Sequence, residues 1–539
     1  MAPADLAEWE LPRLRASFIF QDDYKYLSSD DQLASQDLAE FFDVKFYPYN
    51  PPGSPPVFAA TSKKHAVVCR LTPTTDKDTN PCEIKQLIRD DGDDTNCASC
   101  WSRDPVTQEP WLCIAGNDSN VKVYNVKQGK LVKTLAGHGG GINDLATSPD
   151  NPLIIASASD DTSIRIWSLA PAHEKQPCVG ILGGESHSYD LLSVAFHDNG
   201  RYVLSAGHDQ VINLWALPEF PTEHVDVPFV IHYPHFSSSE IHNNLVDCVA
   251  FHGDLILSRA CHEDSIVLWQ IEGFSSADPI PNPLDAPTPT DMAKQTRSYF
   301  HPTLSLSRPA MFTRLAQFHT PDCGVQFFMR FRMFHVPGRH HPILAFANAK
   351  SKTFFWDLER FGSYRAYMAE LKEAQQRAGR PLTTAGEGGV LKPSWLAAKR
   401  GGGKKNTTAA MAAAQATAAV VGGDGTSSLR SFALSSAAAG GGGGGDKDSM
   451  VSASPDPESA VTGLGHSRET LQAWAEMYDL SDPDRYVKAH RTLQIDGGFV
   501  GRQVGWSPEG EWCVVVGNGN RALIYQRWGR EKGVAMPAA

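Results

Sequence analysis

The sequence predicts an all-β fold, a seven-bladed β-propeller with long disordered insertions. Two observations support this fold. A set of four polar and aromatic residues recurs with constant spacing, and short strands with alternating apolar residues follow one another in seven groups. A third observation, the low-complexity composition of one long internal segment, predicts the insertions.

The clearest copy of the recurring set lies in residues 136–169, where a Gly-His pair precedes two apolar runs, an Asp-bearing turn and a strand that ends in Trp. This arrangement is typical of a WD40 repeat. Its four residues can form a polar chain that links the loop before the first strand of a blade to the third strand. They are His138, Ser157, Asp161 and Trp167, and a second full set at matching offsets is His187, Ser205, Asp209 and Trp215.

Partial copies extend the pattern along the chain. Ser258 and Trp269 keep their spacing, but Glu263 stands where the Asp is expected. Alternation then assigns seven blades, in order, to residues 41–72 with an outer strand at 83–91, 97–126, 141–187, 191–238, 246–271 with an outer strand at 313–320, 326–358, and 501–528.

The last blade lacks an outer strand of its own, while a strand-like run at residues 14–23 belongs to no blade. Pairing of these two segments would close the ring and leave no exposed strand edge. We therefore expect a propeller over 14–360 and 488–528, with a flexible N-terminus at 1–13 and a tail at 529–539.

Two insertions interrupt the blades. Residues 272–312 are rich in Pro and Ser and are expected to form an extended surface loop. Residues 361–487 separate the third and fourth strands of the sixth blade. Helices are predicted at 363–379, with Ser363 as N-cap, and at 468–480. Most of 380–465 is expected to be disordered, because its Ala- and Gly-rich tracts cannot bury enough apolar surface.

Composition and motifs exclude several classes of function. A net charge of −12 and a pI near 5.9 argue against a protein whose whole surface binds nucleic acid. Any direct binding of that kind is expected to be weak and to involve Lys399, Arg400, Lys404 and Lys405. Ten Cys scattered along the chain, and the lack of a signal or membrane segment, predict a soluble intracellular protein with reduced thiols. The sequence contains no phosphate loop, nucleophile elbow or zinc motif, so we expect no enzyme activity, no cofactor and no metal.

Residues 41–68, 137–161, 239–261 and 327–359 resemble, in order and spacing, the Extra sex combs/EED family of WD40 subunits of Polycomb repressive complex 2. The resemblance covers 14–360 and 488–528. It implies a non-catalytic nuclear scaffold that binds an EZH-like SET-domain methyltransferase on one face. On the other face, an aromatic cage would bind trimethyl-lysine of the histone H3 tail, at an H3K27me3-like mark, to stimulate methylation and gene silencing.

The same resemblance assigns the site residues. The cage aromatics fall on Phe42, Phe327 and Phe328, and the fourth cage position falls on Cys97, where the family has Tyr. A quaternary ammonium ion is held by ring faces, so Cys97 would leave the cage open on one side unless another ring, such as Tyr189, replaces it. The expected contacts to the histone peptide are Asn143, Asp190, Asp247, Arg330 and Arg502.

Two alternatives stay open. Because of Cys97, the chain could be a scaffold of the same complex that no longer binds methyl-lysine. It could also be a generic WD40 adaptor, for example a substrate receptor of a ubiquitin ligase. The sequence leaves the preferred methyl mark, the transmission of binding to an enzyme and the role of the long insertion undetermined.

Overall fold

Seven sheets of four or five strands form a ring, in which the innermost strand of each blade contacts the innermost strand of the next. The computed structural model describes residues 10–20, 40–72, 79–90, 95–184, 186–289, 295–300, 311–396 and 461–527. The seven-bladed propeller that the sequence predicts is therefore confirmed. The basic residues at 399–405 and the tail at 529–539 lie outside the described residues.

The strands of blades one to four follow the predicted order. Blade one contains Phe41–Phe46, Val57–Ser62, His65–Leu71 and Cys82–Arg89. Blade two contains Asn96–Arg103, Pro110–Gly116, Val121–Asn125 and Lys130–Leu135. Blade three contains Ile142–Thr147, Ile154–Ser159, Ile164–Ser168, Cys178–Leu182 and Phe229–Ile231. Blade four contains Leu191–Phe196, Tyr202–Gly207, Ile212–Ala216, Phe236–Ser238 and Thr296–Ser298.

Blades five to seven complete the ring. Blade five contains Val246–His252, Leu255–Ala260, Ser265–Ile271, Phe312–His319 and Tyr486–Val487. Blade six contains Arg332–Phe334, Ile343–Ala347, Lys352–Asp357 and Arg491–Gln494. Blade seven contains Gly501–Trp506, Trp512–Gly517 and Arg521–Gln526, with Arg13–Ile19 as its outer strand. The closing pair is antiparallel, and the Phe20 N–H donates to the Asn520 carbonyl at 3.0 Å. Ring closure by the N-terminal strand is as predicted.

Three blades have a fifth, outermost strand that the sequence does not predict. Phe229–Ile231 pairs in parallel with the outer strand of blade three, and Tyr486–Val487 does the same in blade five. Thr296–Ser298 pairs antiparallel with the outer strand of blade four. The expectation of a surface loop over 272–312 is therefore wrong at this strand. Each added strand covers an outer edge that would otherwise expose unpaired backbone groups.

Each predicted polar set joins a loop and strands within one blade. His138 Nδ1 lies 2.7 Å from Asp161 and its Nε2 lies 2.6 Å from the Ser157 hydroxyl, which also accepts from the Trp167 indole at 2.8 Å. The second set repeats these contacts at 2.8 to 2.9 Å. Blade five completes the partial set found in the sequence, because His242, which the sequence analysis did not include, contacts both Glu263 (2.6 Å) and Ser258 (2.7 Å). The longer Glu263 side chain thus replaces Asp without loss of the chain of contacts.

The long insertion packs two helices against the outer edge of blades five and six. The first, α1 (Glu359–Ala378), begins four residues before the predicted N-cap Ser363, because the Asp357 carboxylate accepts from the Glu359 N–H at 3.2 Å. The second, α2 (Arg468–Tyr478), is capped by Ser467, which accepts from the Thr470 N–H. A short hairpin, Val461–Thr462 with His466–Ser467, precedes it.

Residues 380–396 are ordered, within a stretch that was expected to be mostly disordered. They complete the core around the two helices with Leu382, Val390 and Leu396, which pack among Tyr364, Tyr367, Leu371, Ala374, Trp474 and Tyr478. The remainder of that stretch, 397–460, lies outside the described residues.

His490 joins this helical module to the propeller and makes its stability depend on pH. It is half-buried, donates from Nε2 to the Met477 carbonyl and accepts the Asp357 N–H at Nδ1, each at 3.0 Å. Burial lowers its pKa to about 3. The unfolded chain binds a proton at this residue below pH ~6.5 and the folded chain does not, so acid favours unfolding.

We expect the free energy of unfolding to fall between pH 6.5 and 4, with His490 contributing up to about 1.4 kcal/mol per pH unit. Denaturant unfolding of the native protein and of His490→Gln at several pH values measures this contribution. The variant removes the titrating group, so its slope should be shallower. Equal slopes in the two proteins would contradict the assignment.

Candidate functional site

The innermost strands of six blades share a β-bulge near their N-terminal ends. The register shifts at one equivalent residue in each strand. Because each strand is the first of its blade, these bulges lie near the same mouth of the central channel, and a bulge re-aims the side chain it carries. The residues at the bulges are Phe42, Cys97, Asn143, Leu192, Asp247 and Arg502.

Blade six departs from this pattern. Its innermost strand is only Arg332–Phe334, so the strand predicted over 326–334 is wrong for its first six residues. Residues 326–331 instead lie against the innermost strands of blades five and seven, and Phe328 has a φ of 56°. Strand alternation therefore does not decide which of the two adjacent phenylalanines is exposed. A left-handed conformation is uncommon for a bulky side chain and turns the backbone at this point.

The structure brings the three predicted cage aromatics together. The Phe42 and Phe328 ring centroids lie 6.4 Å apart at 72°, and those of Phe327 and Phe328 lie 5.0 Å apart at 38°. Phe327 is 43% exposed, and the other two rings are half-buried. A ring that the sequence analysis missed, His208, meets Phe327 edge to face at 6.4 Å.

Cys97 lies at the fourth position without supplying a ring. Its thiol donates to the Ile142 carbonyl at 3.2 Å, and burial raises its pKa to about 12, so the group stays neutral. Tyr189, the suggested replacement, is 64% exposed and makes no ring contact with the three phenylalanines within the described residues. One side of the cluster is therefore open among the residues that the structure describes.

Carboxylates lie beside the aromatic cluster. Asn143 donates from Nδ2 to Asp160 at 2.6 Å and to the Leu191 carbonyl at 2.8 Å. Burial raises the pKa of Asp160 above its ordinary value, and the like charge of the half-buried Asp190 raises it further. The mouth thus has an acidic side that favours a basic peptide.

Two predicted peptide contacts lie beneath the surface instead. Asp247 is fully buried, where it accepts two hydrogen bonds from the equally buried Arg259 at 2.7 and 2.8 Å and one from the Met329 N–H at 3.2 Å. Arg330 is 4% exposed and crosses the channel to the Asn143 and Leu192 carbonyls at 2.9 and 2.6 Å, with Asp144 at 3.2 Å. Both side chains position the 326–331 segment and are not available at the surface.

Arg502 is also engaged with this segment. Its Nη1 donates to the Phe327 carbonyl at 2.6 Å, its Nη2 to the Gln326 side chain at 3.0 Å, and its Nε to Glu40. The backbone reinforces this contact, because the Arg330 N–H donates to the Arg502 carbonyl at 2.7 Å. Of the five predicted peptide contacts, Asn143, Asp190 and Arg502 are half-buried, and the other two are buried.

Comparison with known proteins identifies the family of this fold. The family model for the WD domain, G-beta repeat, matches residues 129–168 and 176–216, and the model for the Polycomb protein EED insertion domain matches 379–479. Polycomb protein EED of Chaetomium thermophilum is 74% identical over 99% of both chains. The chain belongs to the Polycomb EED family. Polycomb protein esc of Drosophila melanogaster is 28% identical over 66% of this chain and 78% of its own.

Solved structures extend the match to three dimensions. A chain of the Chaetomium thermophilum Polycomb repressive complex 2 crystal structure has a TM-score of 0.82 and 70% identity, over 97% of this chain and 99% of that chain. EED-family proteins are WD40 scaffold subunits of this complex without catalytic activity, and the methyltransferase is a separate subunit. This assignment excludes the generic ubiquitin-ligase adaptor.

The family also accounts for the helical module. The insertion-domain match at 379–479 covers α2 and the segment Leu382–Leu396, so the insertion is a family feature with its own core. The described residues contain no cluster of three or more His, Cys, Asp or Glu that could hold a metal ion. None of the helices in the described part of the chain is long and apolar enough to span a membrane.

Proposed function

We propose that the channel mouth of this EED-family protein binds trimethyl-lysine on the histone H3 tail and thereby stimulates the methyltransferase of Polycomb repressive complex 2 in the nucleus. The convergence of Phe42, Phe327 and Phe328 at the mouth is the observation that carries the proposal. The EZH-like SET-domain methyltransferase would bind the opposite face, which leaves the mouth free for the peptide.

The chemistry of the ligand follows from that of the rings. A trimethylammonium group cannot donate a hydrogen bond, so aromatic faces hold it by cation–π attraction, each worth about 0.5–2 kcal/mol. Asp160 and Asp190 favour the positive charge of a histone tail, and the exposed face of Phe327 leaves the cage accessible from solvent.

A solved relative supports the choice of peptide. A complex whose chain is 70% identical over 97% of this one, with a TM-score of 0.82, is described as "Structure of ctPRC2 in complex with H3K27me3 and H3K27M". We therefore propose the segment of the H3 tail that carries the H3K27me3 mark as the ligand, with gene silencing as the consequence of stimulated methylation.

A scaffold that does not bind methyl-lysine is the second candidate, and the Cys97 thiol favours it. The open side at Cys97 would let water reach the charge of a methyl-lysine and weaken its binding, and the three phenylalanines would then only pack against one another. The two functions predict different responses to the methylation state of the peptide.

Titration of the full chain with H3 peptides that carry zero, one, two or three methyl groups on the lysine of this mark tests the proposal. We expect affinity to rise with each methyl group and the trimethyl peptide to bind at least ~10-fold more tightly than the unmodified one, a difference of about 1.4 kcal/mol. A peptide with a neutral tert-butyl analogue of trimethyl-lysine should bind more weakly, because it lacks the cation. Equal binding of all methylation states, or no binding, would favour the scaffold alone.

A further inference from the structure

We propose that Glu40 and Arg502 form an ion-pair strap that positions the two walls of the aromatic cage, so that Arg502 acts through the cage as a positioning residue. This inference rests on the proposed function for its ligand, but the strap can also be tested in the free protein. One wall is Phe42 on blade one, and the other is the segment 326–330, which carries Phe327 and Phe328.

Arg502 holds the second wall at several points. Its guanidinium donates to the carbonyl of Phe327 and to the side chain of Gln326, at 2.6 and 3.0 Å. Its own carbonyl accepts the N–H of Arg330 at 2.7 Å. The planar fork of Arg satisfies three acceptors in fixed directions, which a Lys ammonium on a flexible stem cannot do.

Glu40 connects this guanidinium to the first wall. It lies two residues before Phe42, accepts from Arg502 Nε, and forms an isolated bridge with Asn518 of blade seven. The two side chains of the pair, Arg502 and Glu40, are only 13% and 12% exposed, so water screens their attraction much less than it screens an exposed ion pair. Movement of either wall would therefore pull on the other.

The second wall requires such support because no strand ladder holds it. Residues 326–331 lie outside the strands of blade six, and Phe328 has the strained φ of 56°. A strained conformation of this kind persists only where the surroundings determine it, and such residues cluster at ligand sites. Asp247 holds Met329 from below, and Cys261 donates to the Gln326 carbonyl at 3.0 Å, but among the described residues only Arg502 holds the carbonyl of the exposed Phe327.

The variants E40Q and R502K test the strap in the full chain. Each should weaken trimethyl-lysine peptide binding about 5–10-fold and change unmodified peptide binding less than twofold, with the melting temperature preserved. The upfield shift of the bound trimethylammonium protons should shrink as the rings separate. The double variant should weaken binding of the trimethyl-lysine peptide no more than R502K alone does, because both changes break the same ion pair. E83Q, the same substitution at the exposed Glu83–Arg70 pair, is the control.

Amide hydrogen exchange of Met329 and Arg330 in the free protein separates the strap from the proposed function. Both amides donate within the fold, so we expect exchange to quicken about tenfold in E40Q and to stay unchanged in E83Q. Unchanged exchange in E40Q would overturn the strap, whatever the peptides show. Equal weakening of both peptides would also overturn it, since Arg502 would then be a direct peptide contact. A native protein that does not discriminate methylation states would refute the proposed function. The strap would then be tested by amide hydrogen exchange in E40Q alone.

Discussion

Replacing Phe328 by alanine is expected to weaken binding of the trimethyl-lysine H3 peptide by about 2- to 30-fold, since one ring face contributes ~0.5–2 kcal/mol and each 1.4 kcal/mol is tenfold. Among the three phenylalanines, Phe328 contacts both others, so its loss separates Phe42 from Phe327. Binding of the unmodified peptide should change little, because its lysine gains little from the ring faces.

Calorimetric titration of both peptides measures this effect, with Tyr486→Ala as the control for removal of a partly exposed aromatic ring. Tyr486 stacks on His319 at the outer edge of blade five, far from the channel mouth. The variant should still melt cooperatively, because Phe328 is only half-buried. Loss of cooperative melting in Phe328→Ala, or equal weakening of both peptides, would show that the ring serves packing and does not bind the methylated ligand.

The substitution Asp247→Ala is expected to destabilise the fold by about 3–5 kcal/mol, because it leaves a buried charge without its partner. Arg259 is as fully buried as Asp247 and makes both carboxylate contacts. The same change also removes the acceptor of the Met329 N–H beneath the cage. The two carboxylates that the resemblance assigned to the peptide, Asp190 and Asp247, therefore have different roles.

Asp190→Ala is the matched control, since Asp190 is half-buried at the surface of the mouth. A surface substitution of this kind changes stability by no more than about 0.5 kcal/mol, so its effect should be confined to peptide binding. Denaturant unfolding of both variants measures the effect on stability, and peptide titration of each measures the effect on binding. An Asp247→Ala protein of native stability that no longer binds peptide would contradict the structural role.

The blades could be predicted from sequence because the information that specifies each one is local. The spacing of His138, Ser157, Asp161 and Trp167 within one blade is fixed by contacts between neighbouring strands, so the pattern survives in the chain. In blade five only His242 escaped recognition, because Ile241 precedes it in place of the Gly of the Gly-His pair at His138. The contacts of His242 with Glu263 and Ser258 are seen only in the three-dimensional structure.

Features that depend on distant segments could not be predicted in this way. Thr296–Ser298 is a strand only because blade four offers it an unpaired edge, and the partner strand lies far away in sequence. The bulges that turn Phe42 and Asn143 towards the mouth have no recognisable sequence signature. The positions of the cage residues came from family resemblance, and the burial of Asp247 and Arg330 runs against the usual exposure of charged residues.

Stimulation of the assembled methyltransferase complex by a trimethyl-lysine H3 peptide supplied in trans tests the central claim most directly. The rate with peptide is divided by the rate without it, for complexes containing either the native chain or Phe328→Ala. We expect the trimethyl peptide to raise this ratio in the native complex, the unmodified peptide to leave it near one, and Phe328→Ala to abolish the increase. Equal stimulation of the native and Phe328→Ala complexes would contradict a role for the channel mouth in reading the methyl mark.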